Sequence, residues 1–232
     1  MKKTKNRMYA VKVFEAQWDE HHDTSVKPFF EQLKRDTPSH DALFKYKVFQ
    51  NAEGLKENLS EHDQGVGSMR KIAYFACHGK DAAICAIEDI SRAKLKNIIA
   101  DLTSYEGMFF GACDFANRDT AEYLLNNSPH LKWVAGYSYW IPWLEGIICD
   151  LLFFKFLLSG IFGRLTKNAR WEPISRPEDA ATNLYKNYIM AGDLKFSLYY
   201  RTRGGIRSTL EDWESEVEEK FKKLDDCGFK IT

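Results

Sequence analysis

Ile72-Ala73-Tyr74-Phe75-Ala76-Cys77-His78-Gly79 and Met108-Phe109-Phe110-Gly111-Ala112-Cys113-Asp114 are two apolar runs of strand length, each ending on a chemically reactive side chain. A thiol is a poor nucleophile at neutral pH until an imidazole or a positive dipole favours the thiolate. A His and a Cys delivered to one sheet edge therefore form a workable pair, and His78 with Cys113 is the candidate catalytic dyad. Gly79 follows the histidine with no side chain to block a substrate. Its backbone N–H and that of Cys113 are candidate donors to a developing oxyanion.

Outward from these runs, strand-length apolar segments alternate with helix-period segments, which predicts βαβ units and a mostly parallel sheet. Tyr9 to Phe14 reads as the first strand, Pro28 to Arg35 as a helix with proline in its first turn, and Leu43 to Phe49 as the second strand. Ala52 to His62 reads as a helix, leading through Gln64-Gly65-Val66-Gly67-Ser68 to the His-bearing strand. Ala82 to Ile90 is a short extended excursion, and Ser91 is placed to cap a helix running to about Asp101. A helix from Asn117 to Asn126 starts just past Cys113, where its first-turn amides favour a thiolate if they lie close to the sulfur. Pro177 to Met190 predicts a helix, Leu194 to Tyr200 a strand, Arg203-Gly204-Gly205 a turn, and Leu210 to Leu224 an amphipathic helix. Alternation along the His-bearing strand turns Cys77 to the face opposite His78, into the core.

The two reactive runs resemble the caspase-like cysteine peptidases, the clan of caspases, metacaspases, separases and CHAT-domain proteins. In that pattern an apolar strand ends in His-Gly and a second ends in a small residue followed by the nucleophilic Cys, matched here by Ile72 to Gly79 and Met108 to Cys113. Trp133 to Tyr137 and the apolar run from Ile141 to Leu158 look like the third strand and following helix of CHAT domains, so the resemblance covers roughly residues 8 to 160. It implies an α/β, caspase-like fold with a mostly parallel central sheet flanked by helices on both faces. It further implies a cysteine endopeptidase that needs no cofactor, acts on a protein or peptide substrate, and answers to an activating partner protein in bacterial defence or cell-death signalling. One departure concerns specificity. Metacaspases carry an acid two positions before the Cys and caspases a Gln, whereas this chain has Gly111.

Composition agrees with one peptidase domain over residues 1–232: 44% of residues are hydrophobic and 28% charged, ordinary values for a globular chain. Lys plus Arg and Asp plus Glu each number 33, so no net field favours nucleic acid or an anionic membrane. Five scattered cysteines, Cys77, Cys85, Cys113, Cys149 and Cys227, form neither a disulfide framework nor a Cys-x-x-Cys metal spacing, which reads as a reduced, cytoplasmic protein. The basic start, Met1 to Arg7, is followed by a segment too short and polar for a signal peptide. Ile141 to Phe162 approaches the ~20 residues needed to span a bilayer. Glu145, Asp150 and Lys155 within it favour a helix buried in protein.

Other groups compete for roles at the site. Glu15, Asp19, Glu20, His21, His22 and Asp23 include metal-capable side chains, but adjacent histidines do not easily meet one ion, so a solvated loop is the expectation and no metal is assigned. With Gly111 lacking a side chain, Asp114, Asp19 and Glu20 are the candidate acids for a substrate with Arg or Lys before the scissile bond. Tyr137, Tyr139, Trp140 and Trp143 are candidate pocket walls, or core, or a partner-facing surface. The basic stretch after the apolar helix, with Arg164, Lys167 and Arg170, is either a surface connection or a regulatory, cleavable loop at 163–177. A pseudoenzyme that binds a protein through the Tyr137 to Trp143 segment remains the alternative function.

Overall fold

The computed structural model describes residues 9–16, 25–37, 42–61, 69–159 and 176–226. In chain order the elements are β1 (Tyr9–Ala16), α1 (Lys27–Asp36), β2 (Ala42–Phe49), α2 (Ala52–Ser60), β3 (Arg70–Ala76), β4 (His78–Lys80), β5 (Ala83–Cys85), β6 (Ile90–Ser91) and α3 (Arg92–Ile99). They continue as β7 (Tyr105–Gly111), α4 (Arg118–Asn127), β8 (Trp133–Tyr137), α5 (Trp143–Ser159), α6 (Pro177–Asn187), α7 (Met190–Asp193), β9 (Phe196–Thr202), β10 (Gly205–Ser208) and α8 (Thr209–Asp226).

Seven strands form one sheet in the order β10-β9-β8-β7-β3-β1-β2. The five from β2 to β8 are mutually parallel, and β9 runs antiparallel to both its neighbours. Parallel strands covered on both faces need apolar side chains on both, which is why residues 72–76 of β3 and 108–110 of β7 are unbroken hydrophobic runs. The period of two then sorts them. Ile72, Tyr74, Ala76 and Phe109 pack on one face with Phe30 of α1, Phe153 and Phe154 of α5 and Leu184 of α6. Ala73, Phe75, Cys77, Met108 and Phe110 pack on the other with Leu55 of α2, Leu95 of α3 and Leu124 of α4. Phe109 sits in the middle of the first face, its ring centroid 5.3 Å from Phe153, 5.4 Å from Tyr74 and from Phe154, and 5.8 Å from Phe196.

The expected helix starts are present. The Ser91 side chain accepts from Lys94 N, and that of Asn117 from Thr120 N. Asn117→Ala removes the α4 cap and is expected to cost about 1 kcal/mol, read as a lower denaturation midpoint at unchanged slope.

Three elements differ from the sequence reading. The excursion after β3 is a three-stranded antiparallel sheet, β4-β5-β6, and His78 begins β4, where it pairs with Cys85, instead of ending β3. The helix expected to reach Met190 ends at Asn187, and a separate turn of helix, α7, follows. Beyond the Arg203-Gly204-Gly205 turn the chain adds β10, a four-residue edge strand too short to show a pattern. The apolar run after Ile141 is α5, whose Phe153, Phe154 and Leu157 are core residues. Among the described residues no helix is long and apolar enough to cross a membrane.

Candidate active site

The register of the sheet brings the two reactive runs together. β3 and β7 run parallel with Ala76 opposite Gly111. Two residues further along each chain stand His78 and Cys113, and both line one cleft of about 320 Å³ at the C-terminal ends of the strands. Open α/β sheets place their sites there because the strand ends diverge into loops. The approach is close enough to demand glycine: a Cβ on Gly79 would lie 1.9 Å from the Cys113 carbonyl oxygen and 3.3 Å from the Ala112 Cβ. Any larger residue after His78 forces the two backbones apart. Gly79 is thereby packed against the Cys113 backbone, with His78 exposed and Cys113 partly exposed beside it.

The loop between β8 and α5 holds Cys113 from the other side. Asp114 N donates to Tyr139 O and Ala116 N to Tyr137 O, both at 3.1 Å. Asp114 itself adopts a φ of 49°, a left-handed turn that Asp tolerates better than most residues, and it bends the chain sharply just after the cysteine. Ile141 N donates to Cys113 Sγ at 3.4 Å, and the Ile141 carbonyl lies 3.7 Å from the same sulfur. A backbone amide aimed at sulfur fixes where the sulfur sits. The donor at the sulfur is thus Ile141, a residue whose side chain carries no chemical signal, while α4 begins only at Arg118.

The other described cysteines are poor competitors. Cys77 is buried among apolar residues of the second core face, as alternation predicts, and burial pushes its thiol well up. Burial does the same to Cys149, and burial with Asp89 nearby raises Cys85. All four described cysteines are free.

The cleft walls are Val26 from the start of α1, Ala76, Trp140, Ile141, and the α5 face of Trp143, Gly146 and Ile147, with Tyr74 and Asp150 deeper in. Trp140 and Trp143 are 67% and 41% exposed and form part of the rim. Val26 is fixed by Glu15, which accepts from Val26 N at 2.9 Å and from Ser25 Oγ at 2.6 Å. Tyr137 is a correction to the sequence reading. It is fully buried and lines no part of the cleft, because its strand position points it under α5, where its hydroxyl meets Asp150 Oδ1 at 2.5 Å and Gly146 O at 3.1 Å. Asp114 is exposed and is not among the lining residues, so it does not supply the acid expected inside the cleft. Asp19, Glu20, His21, His22 and the basic stretch 163–173 lie outside the described residues. Among the described residues no group of three His, Cys, Asp or Glu side chains is arranged to hold a metal ion.

No family model and no curated protein matches this chain. Among solved structures it is similar to a secreted C11 cysteine protease from Bacteroides thetaiotaomicron in complex with an irreversible peptide inhibitor, with a TM-score of 0.54 and 12% identity. A second structure of a secreted C11 cysteine protease from the same organism, called "iotapain", gives a TM-score of 0.55 at 9% identity. Each match covers 84% of this chain and 66% of the other, so the chain spans just under two thirds of their length. At this identity the likeness is one of fold, and the fold is the caspase-like one, with a mostly parallel sheet between two helical layers.

Proposed function

We propose that the protein is a cysteine endopeptidase in which His78 and Cys113 are the catalytic dyad. The observation that carries this reading is the convergence of His78, Gly79 and Cys113 on one open cleft, with the Gly79 backbone packed on that of Cys113. His78 takes the thiol proton as Cys113 attacks the peptide carbonyl, and the amides of Gly79 and Cys113 meet the developing oxyanion. The imidazolium returns the proton to the leaving amine, and water, deprotonated by His78, then hydrolyses the thioester to release the acid and the free thiol. The preference proposed at the cleaved bond is for Arg or Lys on its N-terminal side, and Arg164, Lys167 and Arg170 are then sites of self-cleavage.

An electrophilic peptide probe tests the dyad directly. Mass spectrometry is expected to find the label on Cys113, and labelling is expected to fall when His78 is replaced by Ala. Label distributed over several cysteines, or unchanged in the His78 variant, contradicts the assignment. Gly79→Ala is expected to lower turnover on a fluorogenic peptide by about 10²-fold, since an added methyl displaces the Cys113 backbone and misplacement of about 1 Å has that effect. A wild-type rate in that variant would show that the close approach has no role in catalysis.

The exposed aromatics beside the cleft, Tyr139 and Trp140, favour a second reading in which the fold binds a protein without cutting it. Selective labelling of Cys113 dependent on His78 separates the two, because a binding module has no use for an activated thiol.

A further inference from the structure

The groups that start α1 come from other elements. Val26, the residue at its N-terminal cap, makes no side-chain cap, and the first turn of the helix carries no acid. Yet Val26 is where the helix begins, its carbonyl accepting from Phe30 N at 3.2 Å. A helix start leaves backbone N–H groups unpaired and carries the positive end of the helix dipole, so it favours an anion. Glu15, near the C-terminal end of β1, provides one: Oε1 accepts from Val26 N at 2.9 Å, and Oε2 accepts from Ser25 Oγ at 2.6 Å. Tyr46 of the edge strand β2 donates to the same Oε2. Ser25 Oγ in turn accepts from Lys27 N at 3.1 Å, and the Lys27 ammonium lies 5.4 Å from the centre of the Tyr46 ring. Glu15 is 6% exposed, so these donors replace the water that burial takes from its carboxylate.

This carboxylate stands beside the cleft without lining it. In the register of the sheet Glu15 lies opposite Ala76, which lines the cleft, and Val26 is the wall that α1 contributes. One turn further along α1, Phe29 meets the ring of Trp143 edge-on at the rim, with centroids 5.6 Å apart, and Phe30 packs on Tyr74 at 4.6 Å. A short helix moves as a body, so a shift of its first residue carries Val26 and Phe29 with it.

We propose that Glu15 is a positioning residue of the cleft: by holding the Val26 amide it fixes the start of α1, and through Val26 and Phe29 it sets the wall against which a bound peptide packs. The proposal rests on the endopeptidase reading for its ligand. Its consequence is confined to binding. Cys113 is held by other segments, Gly79 and the loop between β8 and α5, so the wall alters affinity and leaves the rate of the bound complex in place.

Two substitutions separate reach from charge. Glu15→Asp keeps the charge and draws the carboxylate back by one carbon–carbon bond, away from Val26 N. Glu15→Gln keeps the reach: its carbonyl oxygen accepts from Val26 N while its amide donates to the hydroxyls of Ser25 and Tyr46, which accept as well as donate. Peptidyl chloromethyl ketones of the form acetyl-Ala-Ala-X, with X either Arg or Ala, alkylate a cysteine in the cleft. Labelling of Cys113 against probe concentration gives an apparent dissociation constant and a limiting rate.

Glu15→Asp is expected to raise the dissociation constant about tenfold, the scale of one hydrogen bond, at an unchanged limiting rate. Glu15→Gln is expected to stay within about threefold of the parent, the scale of a charge at a helix end. Iodoacetamide, which has no peptide to place, is expected to alkylate Cys113 at one rate in all three proteins. In a Val26→Ala background the effect of Glu15→Asp is expected to shrink to about twofold or less, since the wall it positions is gone. A parent dissociation constant in Glu15→Asp, a Glu15→Gln as weak as Glu15→Asp, a limiting rate or iodoacetamide rate that falls in either variant, or an undiminished effect in Val26→Ala would each overturn the proposal. So would a parent whose Cys113 neither probe labels saturably. If the binding pattern is as expected but the wild-type protein cleaves no peptide, Glu15 keeps its role and the endopeptidase reading falls.

Discussion

Cys113→Ala is expected to lower peptidase activity by on the order of 10⁴-fold or more while the protein stays folded. The loss is large because no neighbouring thiol is suited to replace Cys113: Cys77 borders the cleft but is buried in the second core cluster, and burial pushes its thiol well up. The fold survives because Cys113 is only partly buried at the sheet edge and the substitution removes one sulfur atom, with its weak contacts to Ile141. A stability change of about 1 kcal/mol or less is expected. Cys77→Ala reverses the pattern, leaving a small cavity in the second core face but changing turnover little. Turnover on a fluorogenic peptide and thermal unfolding of both variants give the comparison. Equal loss of activity in the two, with both folded, would remove Cys113 from its role.

His78→Ala is expected to depress turnover by about 10²- to 10⁴-fold at neutral pH, the usual contribution of a positioned acid–base group. Raising the pH is expected to restore only part of the rate. Alkali supplies thiolate without a base, but it cannot supply the proton that the leaving amine needs. The comparison of wild type and variant across a pH series reads both halves of this expectation. A wild-type rate at neutral pH, or full recovery in alkali, would show that the imidazole is not the group serving Cys113.

Some of this protein is written in neighbouring residues. The alternation of Ile72, Tyr74 and Ala76 with Ala73, Phe75 and Cys77 assigns each side chain to a face within a single strand, and the structure keeps that assignment. Ser91 and Asn117 satisfy helix amides three residues away, so their helices begin where the sequence reading starts them, to within a residue. The reactive runs, their order and the mostly parallel sheet between helical layers follow from such local patterns, because a strand's period and a helix cap depend on bonds a few residues long.

Other features wait on how distant segments meet. Tyr137 reads as a pocket wall, as core or as a partner-facing residue, and the placement of α5 over β8 decides for core by burying it on Asp150. Asp150 reads only as a charge that keeps an apolar helix out of a membrane, and the phase of that helix against Gly111 makes it the one acid lining the cleft among the described residues. The amide of Ile141 reaches Cys113 Sγ across the loop between β8 and α5, a contact that no residue type announces. By itself the sequence determined which residues of the central strand β3 lie on which face, and it set His78 and Cys113 as the candidate pair. Only the tertiary structure decided their company, because inter-strand register and helix phase are set by the packing of the whole core and not by any stretch of chain within it.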